Sequence, residues 1–264
     1  MRILLTNDDG IYAPGIRALE KELKTIADVT VVSPLVEQSG VGHSVTFLSP
    51  LVAREEFDGE TSRGWAVEGS PADCVKLALF EFCKERPDLV VSGINGGLNA
   101  GINVLYSGTV AAAIEGAFFG LTSVAVSLEY SEHAQFGEAA ALARKVIEQI
   151  LEQKDSGPKD TAQQNAGPHL YNLNIPTAAL EPGRVRDLKV VPMGLDRYGE
   201  SYEKRIDPRG RAYYWATNDP PPRPTDFETD LTALSKGYVT LTPLHFDLTK
   251  YERLARMQDW EFFL

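Results

Sequence analysis

Ile3-Leu4-Leu5-Thr6 runs straight into Asn7-Asp8-Asp9-Gly10, and an amphipathic helix pattern follows. A short unbroken apolar run closed by a turn glycine reads as a strand buried on both faces, as the parallel strands of α/β proteins are. Such a strand delivers the residues after its carboxyl end into the crevice where open α/β sheets bind ligands. Two adjacent acids with no Lys or Arg beside them repel one another. A divalent cation is the usual remedy, because hard oxygen donors match magnesium, manganese or calcium. A solvated, Asp-rich turn is the plain alternative, and the rest of the chain bears on the choice.

The α/β pattern continues along the chain. Pro14-Gly15 opens a helix through Ile16, Leu19, Leu23 and Ile26, apolar at three- and four-residue spacing. Val29 to Val32 reads as a second buried strand. A loop containing Ser39-Gly40-Val41-Gly42-His43-Ser44 then leads to an alternating segment from Val45 to Val52, expected as an antiparallel excursion. Ser70-Pro71-Ala72-Asp73 is a helix start, with Ser70 as N-cap, Pro71 at the first position and Asp73 completing a capping box. Asp88 to Ser92, Ser123 to Leu128, His169 to Ile175 and Gly237 to Leu244 read as strands. Helices are expected from Val110 to Phe119, Phe136 to Leu151 and Leu248 to Trp260. Lys154 to Gly167 reads as a polar surface loop, and Pro220 to Pro224 as a stiff extended piece.

With 264 residues, the chain can form one large α/β domain or two small ones around a substantial core. Its formal net charge of -11, with no basic stripe, argues against long nucleic acid as a partner. A small phosphorylated substrate is still compatible, since a metal and backbone amides hold phosphate locally. Cys74 and Cys83 fall nine residues apart in one helical pattern, roughly 13 Å at helical rise and too far for a disulfide within the helix. They read as core residues of a reducing compartment. No leader-like start and no apolar window approaching a membrane span is present, so a cytoplasmic protein without membrane contact is expected.

The most unusual stretch is Gly93 to Thr109, rich in Gly and Asn. Asn95 sits where a strand ends, so its side-chain carbonyl can complete a metal site. Ser107-Gly108-Thr109 sits where a helix begins, so hydroxyls and unpaired amides there can bind phosphate. The spacing is neither a Walker A loop nor a dinucleotide fingerprint, which argues against a dehydrogenase. The four histidines, His43, His133, His169 and His245, have no zinc-like spacing.

Taken in order, Ile3 to Gly10, Gln38-Ser39-Gly40, Gly69 to Val75, Ser92 to Gly101 and Tyr106 to Gly116 resemble the SurE survival-protein family of metal-dependent nucleotidases. Weaker matches run through Asn172 to Pro176, Thr225-Asp226 and Gly237 to Leu244, so the resemblance covers nearly the whole chain. It implies a Rossmann-like three-layer core with a mostly parallel sheet and a carboxy-terminal β/arm extension. One domain over 1–264 is expected, with about 182–264 supplying extensions and arms for a homodimer or homotetramer. It further implies a phosphomonoesterase acting on nucleoside 5'- and 3'-monophosphates, with polyphosphate as a further substrate. The family's ligands for one divalent ion per subunit, Mg2+ or Mn2+ with Ca2+ as a third candidate, fall on Asp8, Asp9, Ser39 and Asn95. Many relatives carry an acidic–basic pair just before the serine, where this chain has Leu35-Val36-Glu37-Gln38.

The chemistry expected is attack on phosphorus by water that Asp8 or Asp9 orients or deprotonates. Asn95, Ser107, Gly108 and Thr109 would bind substrate, the last three stabilising equatorial charge. A direct aspartyl nucleophile is disfavoured, because hydrolases of that type place it where this chain has Asn7. His43 is a candidate general acid. Two readings of another class compete. A receiver-type module would need a phosphoacceptor Asp near Ser92 to Asn95 and a matching Lys, and neither is apparent. A non-catalytic, metal-dependent nucleotide sensor would use the same ligands as the enzyme.

Overall fold

The computed structural model describes residues 1–156, 169–183, 187–195, 201–217 and 227–262. Among the described residues, strand β1 (Arg2–Thr6) lies near the middle of a nine-stranded sheet. It is flanked by β2 (Asp28–Pro34) on one side and β5 (Leu89–Gly96) on the other, both parallel to it. Beyond β2 come β4 (Thr61–Val67), parallel, and β3 (Ala53–Asp58), antiparallel, at the edge. Beyond β5 the parallel run continues through β6 (Thr122–Leu128) and β7 (Leu170–Ile175). The sheet closes with β11 (Val239–Leu244), antiparallel to β7, and the short β8 (Leu188–Val190).

Successive residues of a strand point to opposite faces, and the two faces have separate apolar clusters. Ile3, Leu5, Leu89 and Val91 pack with Ile16, Leu19 and Leu23 of α1 (Pro14–Leu23) and with Ala143 and Ile147 of α4 (Phe136–Ser156). Leu4, Val32 and Val90 face the other way, onto Cys74 and Val75 of α2 (Pro71–Leu77) and Ala112 of α3 (Gly108–Phe118). Helices thus cover both faces, giving the three-layer, Rossmann-like arrangement expected. Each fully buried Leu of β1 contributes roughly 1.5–3 kcal/mol, which explains why no polar residue stands between Arg2, at the less buried start of the strand, and Thr6. The carboxyl ends of β1 and β5 meet where the order turns from β2 outward to β5 outward, the topological switch point of such a sheet.

The Gly- and Asn-rich exit from β5 is held by side chains in place of a ladder. Asn172 Nδ2 and Asn174 Nδ2 donate to the Asn99 carbonyl at 2.7 and 3.1 Å, and the Asn99 amide donates to Asn174 Oδ1 at 2.9 Å. Asp230, on α5 (Asp230–Ser235), accepts the amides of Gly101 and Gly194 at 2.8 Å each. Buried backbone groups need partners, and here the late strands and α5 supply them, which also explains a short 3₁₀ turn at Gly101–Leu105 inside the loop.

Several sequence expectations are corrected. Val45 to Val52 forms no strand; the antiparallel pair begins at Ala53. The Thr46 amide and hydroxyl are drawn to Asp73 and the Ser44 carbonyl to Ser70, so the caps of α2 take the groups a ladder would need, and Pro50 blocks another. Helix α1 stops at Leu23, short of Ile26. Cys83 lies past a wider turn, Ala78–Phe82, that ends the helix begun by α2. Both cysteines are free. Helix α4 continues through Ser156, while 157–167, Pro220 to Pro224 and Thr225-Asp226 lie outside the described residues. The closing helix, α6, is shorter than expected (Tyr251–Met257), and none of its residues is buried. β9 (Ser201–Ile206) and β10 (Ala212–Thr217) form a separate hairpin with Tyr202, Tyr214 and Trp215 exposed. Among the described residues no helix is long and apolar enough to cross a membrane.

Candidate active site

The turn after β1 is set by Asn7, fully buried, whose Nδ2 donates to the Gly10 carbonyl at 2.9 Å. Its Oδ1 accepts the Gly10 amide and the Ser33 hydroxyl. With its amide bound on both sides, Asn7 shapes the turn and leaves the crevice to the two residues that follow. Asp8 is 4% exposed and leans on the first turn of α3: Thr109 Oγ1 donates to Asp8 Oδ1 at 2.5 Å, and the Thr109 amide adds a second bond. Gly108 is required by this approach. A Cβ there would lie 2.8 Å from Asp8 Cβ and 3.1 Å from Asp8 Oδ2. Asp9 turns the other way, to β5, where its Oδ2 accepts the Gly96 amide at 3.1 Å. Gly96 follows Asn95, whose placement comes from an irregularity in the β5–β6 ladder between Ser92 and Asn95, where three steps along β5 match two along β6.

Burial pushes the Asp8 carboxyl up from its ordinary value, against the hydrogen bonds from Thr109 that favour the charged form. Asp9 is pushed up to about 6, first by burial, then by the charge of Asp8, with Glu37 adding to the repulsion and the Gly96 amide opposing it. Glu37 is a third acid of this neighbourhood that the sequence pattern did not single out; its position one residue before Gln38-Ser39 was the available signal. Among the described residues no basic side chain forms an ion pair with Asp8 or Asp9.

The predicted site residues divide into two groups. Asp8, Gly108 and Thr109 are in direct contact or joined by one hydrogen bond, and Asp9, next in the chain, feels the charge of Asp8. Ser39 and Asn95 approach through their neighbours: the Gln38 amide donates to the Asp8 carbonyl at 2.8 Å, and Gly96 bonds Asp9. Their side chains also bond near neighbours, Ser39 Oγ donating to Glu37 at 2.5 Å and Asn95 Nδ2 to the Gly97 carbonyl at 2.6 Å, which leaves Asn95 Oδ1 without that bond. Ser107 caps α3, its hydroxyl accepting the Val110 amide at 3.1 Å. His43 Nε2 is 2.6 Å from Glu115 Oε2, which directs it to α3 and not to the acid pair.

Could these donors hold a metal? Among the described residues no three His, Cys, Asp or Glu side chains gather as a metal cage, which argues against zinc. Two uncompensated carboxylates beside a hydroxyl and an amide oxygen fit magnesium or manganese, which bind through one or two carboxylates and complete their shell with water and substrate phosphate. Bordering this crevice is a cleft of about 500 Å³, lined by residues including Leu35, Val36, Gln38, Thr46 and Glu68. It contains none of the predicted site residues and meets the neighbourhood of the acid pair only through the 35–38 turn.

Fold and crevice together define a doubly wound α/β protein whose switch point carries an acid pair facing a helix N-terminus. The family profile described as "Survival protein SurE" matches residues 3–200. The "5'-nucleotidase SurE" of Rhodopirellula baltica is 58% identical over 261 residues, covering 98% of each chain. That of Desulforudis audaxviator is 43% identical, covering 98% of this chain and 97% of its own. The crystal structure of the SurE protein from Aquifex aeolicus superposes with a TM-score of 0.80 at 37% identity, covering 98% of both chains. The chain belongs to the SurE family.

Proposed function

We propose that this protein is a divalent-metal-dependent phosphomonoesterase that hydrolyses nucleoside 5'-monophosphates, accepts 3'-monophosphates, and shortens polyphosphate as a secondary activity. The observation that carries the reading is the Asp8–Asp9 pair at the switch point, raised in pKa, without a basic partner among the described residues, and braced against the first turn of α3. The relatives named 5'-nucleotidase SurE supply the substrate class.

Asp8, Asp9, Ser39 and Asn95 would hold one Mg2+ or Mn2+ per subunit, with Ca2+ as a third candidate. When bound, the ion supplies Lewis-acid polarisation of the phosphate and a lowered pKa for a water. The remaining work falls to the chain. Asp8, fixed by Thr109, holds its charge in one place. Asp9, with Oδ2 on the Gly96 amide, leaves Oδ1 to orient the attacking water and take its proton. The phosphate is received by Asn95 and by the opening turn of α3 at Ser107, Gly108 and Thr109, where amides and the helix dipole favour the charge that develops. Because Asn7 is spent on the turn, no carboxylate occupies the position of an aspartyl nucleophile.

The exposed aromatics of β9–β10 and the unburied α6 support carboxy-terminal arms that join subunits into a dimer or tetramer, and the two free cysteines support a reducing, cytoplasmic location. The direct test is phosphate release from AMP. Turnover is expected with Mn2+ or Mg2+, lost on chelation and restored on readdition. Tight AMP binding without phosphate release under any divalent ion would instead establish the sensor.

A further inference from the structure

The segment that carries Ser39 has no regular structure between β2 and β3, yet it is fastened at both ends. On one side the Gln38 amide donates to the Asp8 carbonyl at 2.8 Å. On the other, the Gly42 amide donates to the Tyr106 carbonyl at 2.9 Å, the Ser44 carbonyl accepts Ser70 Oγ at 2.7 Å, and Thr46 bonds Asp73. Gly40 has φ of +71° and the anchoring Gly42 +57°, so the chain beside Ser39 turns through conformations that glycine adopts readily.

The side-chain fastening nearest to Ser39 on this far side is His43. Its Nε2 is 2.6 Å from Glu115 Oε2 and its ring stacks on Phe118 with centroids 5.3 Å apart. Glu115 is 4% exposed, and among the described residues its other ion-pair partner is Lys76, whose Nζ is 3.6 Å away on an exposed side chain. A buried carboxylate needs a hydrogen-bonded partner, and His43 is the close one. Glu115 and Phe118 lie on α3, the same helix whose Thr109 holds Asp8. One rigid element therefore grips both the acid pair and the loop of the serine.

We propose that His43 and Glu115 are a positioning pair that sets the Ser39 hydroxyl against the Asp8–Asp9 carboxylates for cation binding. This rests on the metal reading above. It assigns His43 a role in metal affinity and removes it as general acid.

The test is Mn2+ binding to the full chain by titration calorimetry at neutral pH, with thermal melts alongside. His43→Ala is expected to weaken binding roughly tenfold, the scale of losing a group that orients a ligand. His43→Gln, which keeps an N–H toward Glu115, should restore most of it. Adding His43→Ala to Ser39→Ala should cost nothing further, since the pair acts through that hydroxyl. Where His43→Ala melts too low to measure, the double variant His43→Ala/Glu115→Gln removes the unpaired buried charge; it should recover the melting temperature but not the affinity. Wild-type affinity in His43→Ala, full additivity with Ser39→Ala, or affinity recovered together with stability in the double variant would each overturn the proposal. Asp8→Asn serves as the separate control. If it binds Mn2+ as the wild type does, the metal site itself fails; if it loses binding while His43→Ala does not, only the positioning pair fails.

Discussion

The two walls of the crevice are built in opposite ways. On the α3 side, Asp8, Ser107 and Thr109 are almost wholly buried, and the contact between Asp8 and the helix is too close for a side chain at Gly108. On the loop side, Glu37, Ser39 and Gly40 are exposed, and Ser39 is directed to Glu37. A buried wall fixes charge at the cost of repulsion, whereas an exposed wall can adjust its donors to whatever arrives. The difference teaches that position and chemistry are separated here: the helix side determines where the charge lies, and under the proposed function the loop side would determine how completely an ion is caged.

The largest effect should come from the fixed wall. Asp8→Asn or Asp9→Asn is expected to lower turnover of AMP by about 10³-fold or more, while the metal-free melting temperature is kept or raised, because one of two repelling charges has gone. A variant of either kind with full activity would erase the contrast. Gly108→Ala should follow, with about a 10²-fold loss in kcat, since the added methyl displaces Asp8 on the scale that misaligns a reacting group; its circular dichroism should be unchanged.

Variants of the adjustable wall should do less. Ser39→Ala is expected to raise the Mn2+ concentration for half-maximal activity about tenfold and to leave kcat at saturating metal within a few-fold. Should kcat collapse at saturation, the loop side would share the rigid role of the helix side and the contrast would fail.

The smallest effect is on stability against pH. Asp9 has a folded pKa of about 6, above its ordinary value of 3.8, so the folded state binds that proton more tightly than the unfolded chain does. Its stabilisation is complete below about pH 4 and is lost as pH rises through 6. In chelator the melting temperature should fall by a few degrees over that window, and Asp9→Asn should flatten the decline. Excess Mn2+ should remove it by replacing the proton as counter-charge.

The fixed wall was also the legible one. Ile3 to Gly10 announces a buried strand with acids at its end, and Ser107 to Thr109 announces a helix start, because both signals are local: an apolar run, a cap, a glycine. Which carboxylate would lean on which element was not legible, since the contact between Asp8 and Thr109 joins residues 101 apart. The adjustable wall is deceptive in sequence for a related reason. The alternation from Val45 to Val52 imitates a strand, but its Thr46 amide is claimed by Asp73, and the Ser44 carbonyl just before it by Ser70, at the start of α2. Glu37 resembles an ordinary surface acid until the fold brings it within reach of Asp9.

Asp8 and Asp9 are neighbours on the chain but tethered to different bodies, one to α3 and the other to β5. The gap between their carboxylates therefore works as a feeler gauge for how closely that helix sits on the sheet. Helix α3 can sit so low because Gly116 lets it touch down, with a virtual Cβ only 2.6 Å from Ser123 Oγ and 2.7 Å from Val90 Cγ2. Propping the helix up by a single methyl at that point, far from every donor, should widen the gauge and detune the site for small ions before larger ones.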